Sequence, residues 1–334
     1  MLLASSAFAQ SNVTVYGLFD VAVHEETHAG TSAATDGSKI AVDSGALNGS
    51  RLGFKGMEDL GDGMQAIFDL ESGFNADTGT SGQGGLTFGR QAWVGLSSSA
   101  GQLTAGRQYS TMWDHFGNFD PMNGISNVNE TSFYLNYGAY RINNSVKYVG
   151  NFNGLTLEGI YGFGEVAGST STNAHQGIGA NYAFGNATIG AAFQQTNSNT
   201  TIAGTAATVK NAMVGTTYAI GPVTLLGNYM RTTNLAGNNG DTSDMFSLGT
   251  NYQATQNVKL LLGAYSDKTN IANTSARRNT LAALAQYSFS KRSSVYVSVD
   301  YTKQNNAAYN ASPAALNNGT DNRTNIMLGM KHAF

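Results

Sequence analysis

Tyrosines return at a fixed interval along most of the chain, and that interval restricts the fold more than any other feature. Tyr148, Tyr182, Tyr218, Tyr252 and Tyr287 stand 34 to 36 residues apart, and a second series, Phe193, Tyr229, Tyr265 and Tyr301, repeats every 36. Self-similarity at a fixed period marks one structural unit used repeatedly. A strand of about ten residues, a short turn, a returning strand and a longer loop add up to this spacing. Each repeat therefore reads as a hairpin plus its loop. The first series precedes short turns, at 183–186 and 219–222, whereas the second precedes longer polar stretches such as 232–244. The two series mark opposite ends of the strands.

Within the repeats the pattern alternates with period two. Val295, Val297, Val299 and Tyr301 share one face, and Tyr296, Ser298, Asp300 and Thr302 the other. In 176–184, Ile178, Ala180, Tyr182 and Phe184 form the apolar face, with Gln176, Gly179, Asn181 and Ala183 divided between turn and interior. Only 12% of the residues are charged, about half the share of a soluble domain, so much of the surface does not face ordinary solvent. No run of about twenty apolar residues is present that could cross a bilayer as a helix. The other architecture that satisfies every backbone group in lipid is the closed barrel. A soluble solenoid with packed aromatics is the alternative, but it would need neither the low charge nor the alternating polar face.

The expected fold is all-β: a transmembrane antiparallel β-barrel of about sixteen strands, apolar side chains toward lipid, polar ones toward the lumen, and an aromatic girdle at each interface. An even count puts both termini on the periplasmic side. Loops rich in Asn, Thr, Ser, Gly and Ala are expected near 25–45, 75–85, 110–140, 165–174, 197–208, 233–243, 268–277 and 304–322. The many glycine pairs are assigned to strand turns. The 110–140 stretch carries Trp113, Phe116, Phe119, Phe133, Tyr134, Tyr137 and Tyr140, more rings than an exposed loop has reason to hold. It is read as a constriction loop folded back into the lumen, where the rings pack on the wall.

At the N-terminus, Leu2 and Leu3 lead to Ala7-Phe8-Ala9, an A-x-A cleavage pattern followed by Gln10. Residues 1–9 read as a truncated signal peptide, lacking the usual basic segment, and 10–334 as a single barrel domain. A disordered soluble N-terminus is the alternative. The absence of cysteine is compatible with an oxidising compartment. A net charge of −3 without a long basic run gives no reason to expect a nucleic-acid partner.

The chain resembles the Gram-negative general diffusion porins, in particular their beta-proteobacterial branch, across essentially the whole length after residue 9. The segments that carry the resemblance are Val13-Thr-Val-Tyr-Gly-Leu-Phe-Asp20, Ser50-Arg-Leu-Gly-Phe-Lys-Gly-Met-Glu-Asp-Leu-Gly61, Ala66-Ile-Phe-Asp-Leu-Glu-Ser-Gly-Phe74, Phe88-Gly-Arg-Gln-Ala-Trp-Val-Gly-Leu96 and Gly106-Arg-Gln-Tyr109. Ile326, Leu328, Met330 and Phe334 at alternate positions resemble the family's C-terminal assembly signal, with His332 where an apolar residue is more usual. The resemblance implies an outer-membrane barrel of sixteen strands, a homotrimer, contact with outer-membrane lipid and lipopolysaccharide, recognition of Phe334 by the barrel-assembly machinery, and passive diffusion of small hydrophilic solutes and ions. It also implies a third extracellular loop bent inward to face wall arginines. Arg51, Arg107 and Arg141 match the wall positions, and Arg90 is a fourth candidate. The Pro-Glu-Phe-Gly-Gly turn of enterobacterial members is absent; Asp120-Pro-Met-Asn-Gly stands nearby. Asp120 is the first choice for the opposing acid, with Asp114 and Glu130 as further candidates.

Phase gives independent support to some of these residues. Arg51 and Lys55 oppose Leu52 and Phe54, and Arg141 and Lys147 oppose Val146 and Tyr148, so all four face the lumen. Arg90 and Arg107 fall in phase with apolar neighbours. A lipid-facing arginine at mid-membrane would cost about 2–4 kcal/mol, so a bulge or the adjacent glycine is expected to reset Arg107. For any single lumen cation the plainer role is a wall ion pair with Asp69, Glu71, Glu158 or Asp300. Basic and acidic lumen candidates are similar in number, and the weak preference read from Arg51, Lys55, Arg141 and Lys147 is for anions. A substrate-specific channel, or an adhesin or receptor, stays open as an alternative. His24, His28, His115, His175 and His332 form no catalytic constellation with nearby Ser or Asp, so an enzyme is not expected. Metal, phosphate-loop and cofactor motifs are missing, so neither metal nor cofactor is expected.

Overall fold

The computed structural model describes residues 12–29, 36–122, 139–197, 208–235, 239–271, 274–305 and 321–334. The expected signal peptide, Glu130, Phe133, Tyr134 and Tyr137 lie outside the described residues.

Alternating sequences become strands that pair strictly with their neighbours. The first are β1 (Asn12–Glu26), β2 (Lys39–Ser44), β3 (Arg51–Gly61), β4 (Met64–Gly73), β5 (Gln91–Ser98) and β6 (Gly101–Tyr109). After the short helix α1 (Thr111–Phe116) come β7 (Arg141–Phe152), β8 (Leu155–Gly162), β9 (His175–Phe184), β10 (Ala187–Thr196) and β11 (Val209–Ile220). The set ends with β12 (Val223–Thr233), β13 (Thr242–Gln253), β14 (Val258–Ile271), β15 (Thr274–Ser288), β16 (Ser293–Asn305) and β17 (Asn322–Ala333). From β3 onward every consecutive pair is antiparallel, and β1 closes the ring on β17 through Leu18↔Ala333 to Glu26↔Asn325. β2 pairs with Val21–Glu26 and β3 with Asn12–Leu18 of the same β1. The two act as one barrel strand broken at 45–50, and the barrel has sixteen strands, as expected. The buried Asp20 carboxylate fixes the break: it accepts from Leu47 N at 3.1 Å, Asn48 N at 2.8 Å and Tyr296 Oη at 2.6 Å.

Short turns gather at one end. Asp62-Gly63 and Asn153-Gly154 are two-residue connections with positive φ at both positions (51° and 75°; 47° and 89°), the form whose twist matches paired strands. Long connections gather at the other end, with two changes from expectation. The pairing of β14 and β15 runs out to Ile271↔Thr274, so most of the stretch expected as a loop at 268–277 is strand. Its Lys268 and Arg277 are polar because they project at the barrel rim. The 25–45 stretch likewise contains β2, and the 75–85 loop extends from Phe74 to Arg90.

Val297, Val299 and Tyr301 face outward while Tyr296, Ser298, Asp300 and Thr302 are buried inward. Ile178, Tyr182 and Phe184 are outward too, but Gln176 shares their phase instead of lying in a turn or the interior. Tyr148, Tyr182, Tyr218, Tyr252 and Tyr287 are all exposed on the short-turn side. In the second series Phe193 and Tyr301 are exposed and Tyr229 half-exposed, but Tyr265 is 3% exposed and points inward. Leu260, Leu262 and Ala264 hold the outward phase of β14, which sends the odd-numbered Tyr265 to the lumen.

Candidate functional site

The inner wall carries a track on which the segment after β6 lies. Gly177 and Gly179 on β9, Gly190 on β10, Gly215 on β11, Gly249 on β13 and Gly263 on β14 point inward at mid-strand. A methyl group at Gly190 or Gly215 would overlap the Phe119 ring, at Gly179 the His115 ring, and at Gly249 the ring of Pro121. These glycines are mid-strand rather than in turns, because only a wall without Cβ atoms admits a second layer so close.

Ser110 starts α1, its Oγ accepting from Trp113 N at 3.3 Å. Met112, Phe116, Phe119 and Met122 then bury against Met213, Met230, Met245 and Leu261, which the barrel alternation aims inward. The lumen face of β11–β14 thus carries an apolar patch, Met213, Met230, Met245 and Leu261, set among inward polar residues such as Asn211, Asn228, Ser247 and Asp267. Full burial of such a side chain is worth about 1.5–3 kcal/mol, enough together to hold the segment to the wall. Polar clamps set its register: Met112 N donates to Gln194 Oε1 at 3.1 Å, and Asn228 Nδ2 donates to the Phe119 carbonyl at 3.1 Å. Asp120, fully buried, accepts from the Tyr265 hydroxyl and from Met122 N at 3.3 Å.

Across the ring, β3–β7 bring together a cationic cluster. Glu71 on β4 accepts from Arg90 Nε at 2.7 Å and lies 3.8 Å from Arg51 Nε. The Tyr109 hydroxyl accepts from Arg90 Nη2 at 2.8 Å and Arg141 Nη2 at 3.0 Å, and the Arg141 guanidinium sits 4.6 Å above the Tyr109 ring. Arg141 Nε also donates to the Arg90 carbonyl at 2.9 Å. The strand break places Gly49 against Arg90 Nη1, where a Cβ would come within 2.8 Å. Arg90 precedes β5, so alternation does not govern it. The bulge expected beside Arg107 is present: pairing with β7 shifts between Gly106 and Gln108, and Gly106 has φ 138°. Arg107 sits at the edge of the group, donating from Nε to the Gly89 carbonyl at 2.8 Å and from Nη1 to Asn143 Oδ1.

Lys55 is exposed, 5.1 Å over the Tyr16 ring and in register with Asp69. Tyr16 Oη donates to Asp69 at 2.8 Å and Glu71 at 3.2 Å. Lys147 forms a separate buried cluster, paired with Asp114 and with Glu158 at 3.3 Å, while His115 Nε2 lies 3.6 Å from Glu158. Asp114 therefore meets Lys147, and Asp120 is enclosed on the β12–β14 side. Among the described residues the acid held by the arginines is the wall residue Glu71. Sequence reasoning missed Tyr109 and Tyr265 as organising hydroxyls. Tyr109 follows Gly-Arg-Gln directly, and the mid-strand glycines were the available sign of the docking track.

His24 pairs with Asp43 at 2.5 Å, His28 with Asp36 at 2.6 Å and His175 with Thr196 at 2.9 Å. Among the described residues no cluster of three or more His, Asp or Glu could hold a metal.

The barrel has counterparts in known proteins. The solved anion-selective porin from Comamonas acidovorans superposes with a TM-score of 0.81 at 23% identity, over 97% of this chain and 100% of that one. An outer membrane porin protein of Bordetella pertussis is 41% identical over 128 residues, 35% of this chain and 33% of that protein. Outer membrane porin protein 32 of Delftia acidovorans is 30% identical over 209 residues, 60% of this chain and 58% of its own length. The chain thus matches between a third and somewhat over half of these curated relatives' length. The Gram-negative porin profile matches residues 1–307. This chain belongs to the Gram-negative porin family, whose members are outer-membrane barrels rather than enzymes.

Proposed function

We propose that the barrel is a passive diffusion channel for small hydrophilic solutes and ions, with a preference for anions, assembled as a homotrimer in the outer membrane. One observation carries the preference: Arg90 and Arg141 converge on Tyr109, Arg51 and Arg90 share Glu71, and Arg107 stands at the edge of the group. Opposed charge in a low-dielectric channel sets the field a solute meets, and arginine keeps its charge at any pH a cell envelope meets. Asp114 is engaged by Lys147 and Asp120 is enclosed with Tyr265, so the positive wall keeps its excess. The Comamonas barrel with this fold is described as anion-selective, which agrees with the reading.

Reversal potentials across a planar bilayer in a KCl gradient test it. The native channel is expected on the anion side of zero, and the Arg51→Gln/Arg90→Gln/Arg141→Gln variant nearer zero or beyond it. Cation preference of the native protein overturns the selectivity, and absence of any conductance overturns the channel. A substrate-specific channel is the second reading. It is favoured by Trp113, stacked 5.3 Å from Tyr109 and tilted 5.5 Å from Tyr140 beside Arg141, an aromatic surface next to guanidinium groups. Saturable block of chloride current by an aromatic carboxylate selects it; ohmic current without block selects general diffusion.

A further inference from the structure

The barrel wall carries a surplus of chain where β1 is shared by β2 and β3. Pairing stops at Val21↔Ser44 and resumes at Leu18↔Arg51, so only Phe19 and Asp20 of β1 stand opposite the six residues 45–50. A surplus of this size cannot stay in the sheet, and it leaves toward the lumen. Ala46 and Leu47 are buried in one core with Ala22, Tyr296 and Met327, inward residues of β1, β16 and β17. Gly45 makes the first bend with φ 73°, and the chain turns so tightly that a methyl group there would come within 3.0 Å of the Gly49 Cα. The result is a knuckle on the inner wall.

Asp20 holds the knuckle at both ends and in the middle. Its carbonyl accepts from Gly45 N at 2.8 Å and its own N–H donates to Ser50 Oγ at 3.1 Å. Its carboxylate accepts from Leu47 N and Asn48 N through Oδ2 and from Tyr296 Oη through Oδ1. On its far side the knuckle meets three cations of the lumen. Asn48 Oδ1 accepts from Lys331 Nζ at 3.1 Å, Gly49 abuts Arg90 Nη1, and Arg51 follows Ser50 directly. Arg90 is therefore held on three sides: Glu71 takes Nε, Tyr109 takes Nη2, and the knuckle closes on Nη1. The first two attract, and the third sets a steric limit.

We propose that residues 45–50 are a second inward element of the pore, in which Gly49 determines specificity by bounding Arg90 and Asp20 is the positioning residue that keeps the knuckle in place. Asp20 acts through the donors it collects and not through its own charge on a solute, because it is fully buried and both oxygens are engaged. Backbone N–H groups bonded to a carboxylate are held more firmly than by a neutral acceptor, and once buried they cannot be left without one at no cost. Loss of the acceptor therefore moves the knuckle, and with it the limit on Arg90. The inference rests on the reading of the arginine cluster as the source of anion preference.

The test reads reversal potentials of the folded full chain in a KCl gradient, with barrel formation of each variant checked by circular dichroism. Gly49→Ala adds one methyl group and no charge. Its Cβ would stand 2.8 Å from Arg90 Nη1, so the guanidinium must leave its place between Glu71 and Tyr109, and the Glu71 charge is then less completely offset. The potential should move toward zero, in the direction of Arg90→Gln and by less. Asp20→Leu, which strips the knuckle of its acceptor, should move it the same way with a noisier open level. Asp20→Asn should keep the native value, because the amide oxygen can accept from Leu47 N and Asn48 N while the amide N–H donates to Tyr296 Oη. If Asp20→Asn and Asp20→Leu both shift toward anions, Asp20 acts by its charge and the positioning role is overturned. A native potential in Gly49→Ala beside a shifted Arg51→Gln/Arg90→Gln/Arg141→Gln overturns the inference and leaves the arginine reading standing. No shift in any variant overturns that reading, and this inference with it. Gly49→Ala carries the measurement if Asp20→Leu does not form a barrel.

Discussion

The inner walls of β3–β7 and of β11–β14 are made by the same alternation and differ in what they gather at their centres. One presents guanidinium groups gathered by Glu71 and Tyr109; the other presents Met213, Met230, Met245 and Leu261 beneath Phe116 and Phe119. A polar lumen face is what a water-filled barrel predicts, so the apolar patch exists for something other than water. It is a dock. The hydrophobic effect fastens the inward segment to one side, without drawing on the charges of the other. Had the segment been fastened by ion pairs to the arginines, holding it and setting the pore field would have used the same groups. The partial exception is the Lys147, Asp114 and Glu158 cluster, which ties α1 to β7 and β8 at the edge of the charged wall.

That division of labour can be broken from either side, and the largest effect is expected on the dock. Phe119→Ala removes the ring that lies over Gly190 and Gly215, leaving a cavity where the segment meets the wall. Core truncations of this kind cost about 3–5 kcal/mol, here drawn mainly from docking rather than from the barrel ladder. Single-channel conductance should rise and its open level become noisier, while the reversal potential moves little. Unchanged conductance would mean that the segment does not narrow the channel. On the charged wall, Glu71→Gln leaves Arg51 and Arg90 without their shared anion. Removing one partner of a buried pair costs about 3 kcal/mol or more, read as a lower urea midpoint for loss of the folded form. Anion preference should increase with conductance nearly unchanged, the reverse of the Phe119 variant. If both variants alter conductance and selectivity alike, the walls are not separable.

How far each wall is legible in the sequence follows from what alternation encodes. Arg51 is legible because Leu52 and Phe54 fix the phase of an unbroken strand. Arg90 is not, since it precedes β5 and takes its direction from Glu71 and from the strand break near Gly49. Arg107 is legible only with an assumed bulge, because a local shift of pairing leaves no mark on residue spacing. The dock is hidden for another reason: an inward methionine and an outward one are the same letter, and their sides are known only once β-turn lengths set the parity of each strand. Tyr265 shows this sharply. Its 36-residue spacing from Tyr301 is perfect, yet one is buried and the other faces lipid. Asp120 reads as the opposing acid from its place in a loop expected to face the arginines, but its carboxylate is buried and accepts from Tyr265 and Met122 N.

Tyr265→Phe is the finest probe of that last point. The ring and its packing remain, and only the hydroxyl that donates to the buried Asp120 carboxylate is removed. A buried acceptor left short of a donor costs about 1–3 kcal/mol, less than losing the Phe119 ring because the apolar contacts persist. If Asp120 serves to hold the segment, the variant should resemble a mild Phe119→Ala: slightly higher conductance, slightly noisier, with the same reversal potential. If Asp120 instead contributes to the pore field, selectivity should move while conductance stays fixed. Adding Asp120→Asn to Tyr265→Phe separates the two outcomes. An amide has its own donors and a smaller desolvation cost, so in the docking role the double variant should recover part of the stability the single one lost, whereas in the field role it should shift the reversal potential further toward anions.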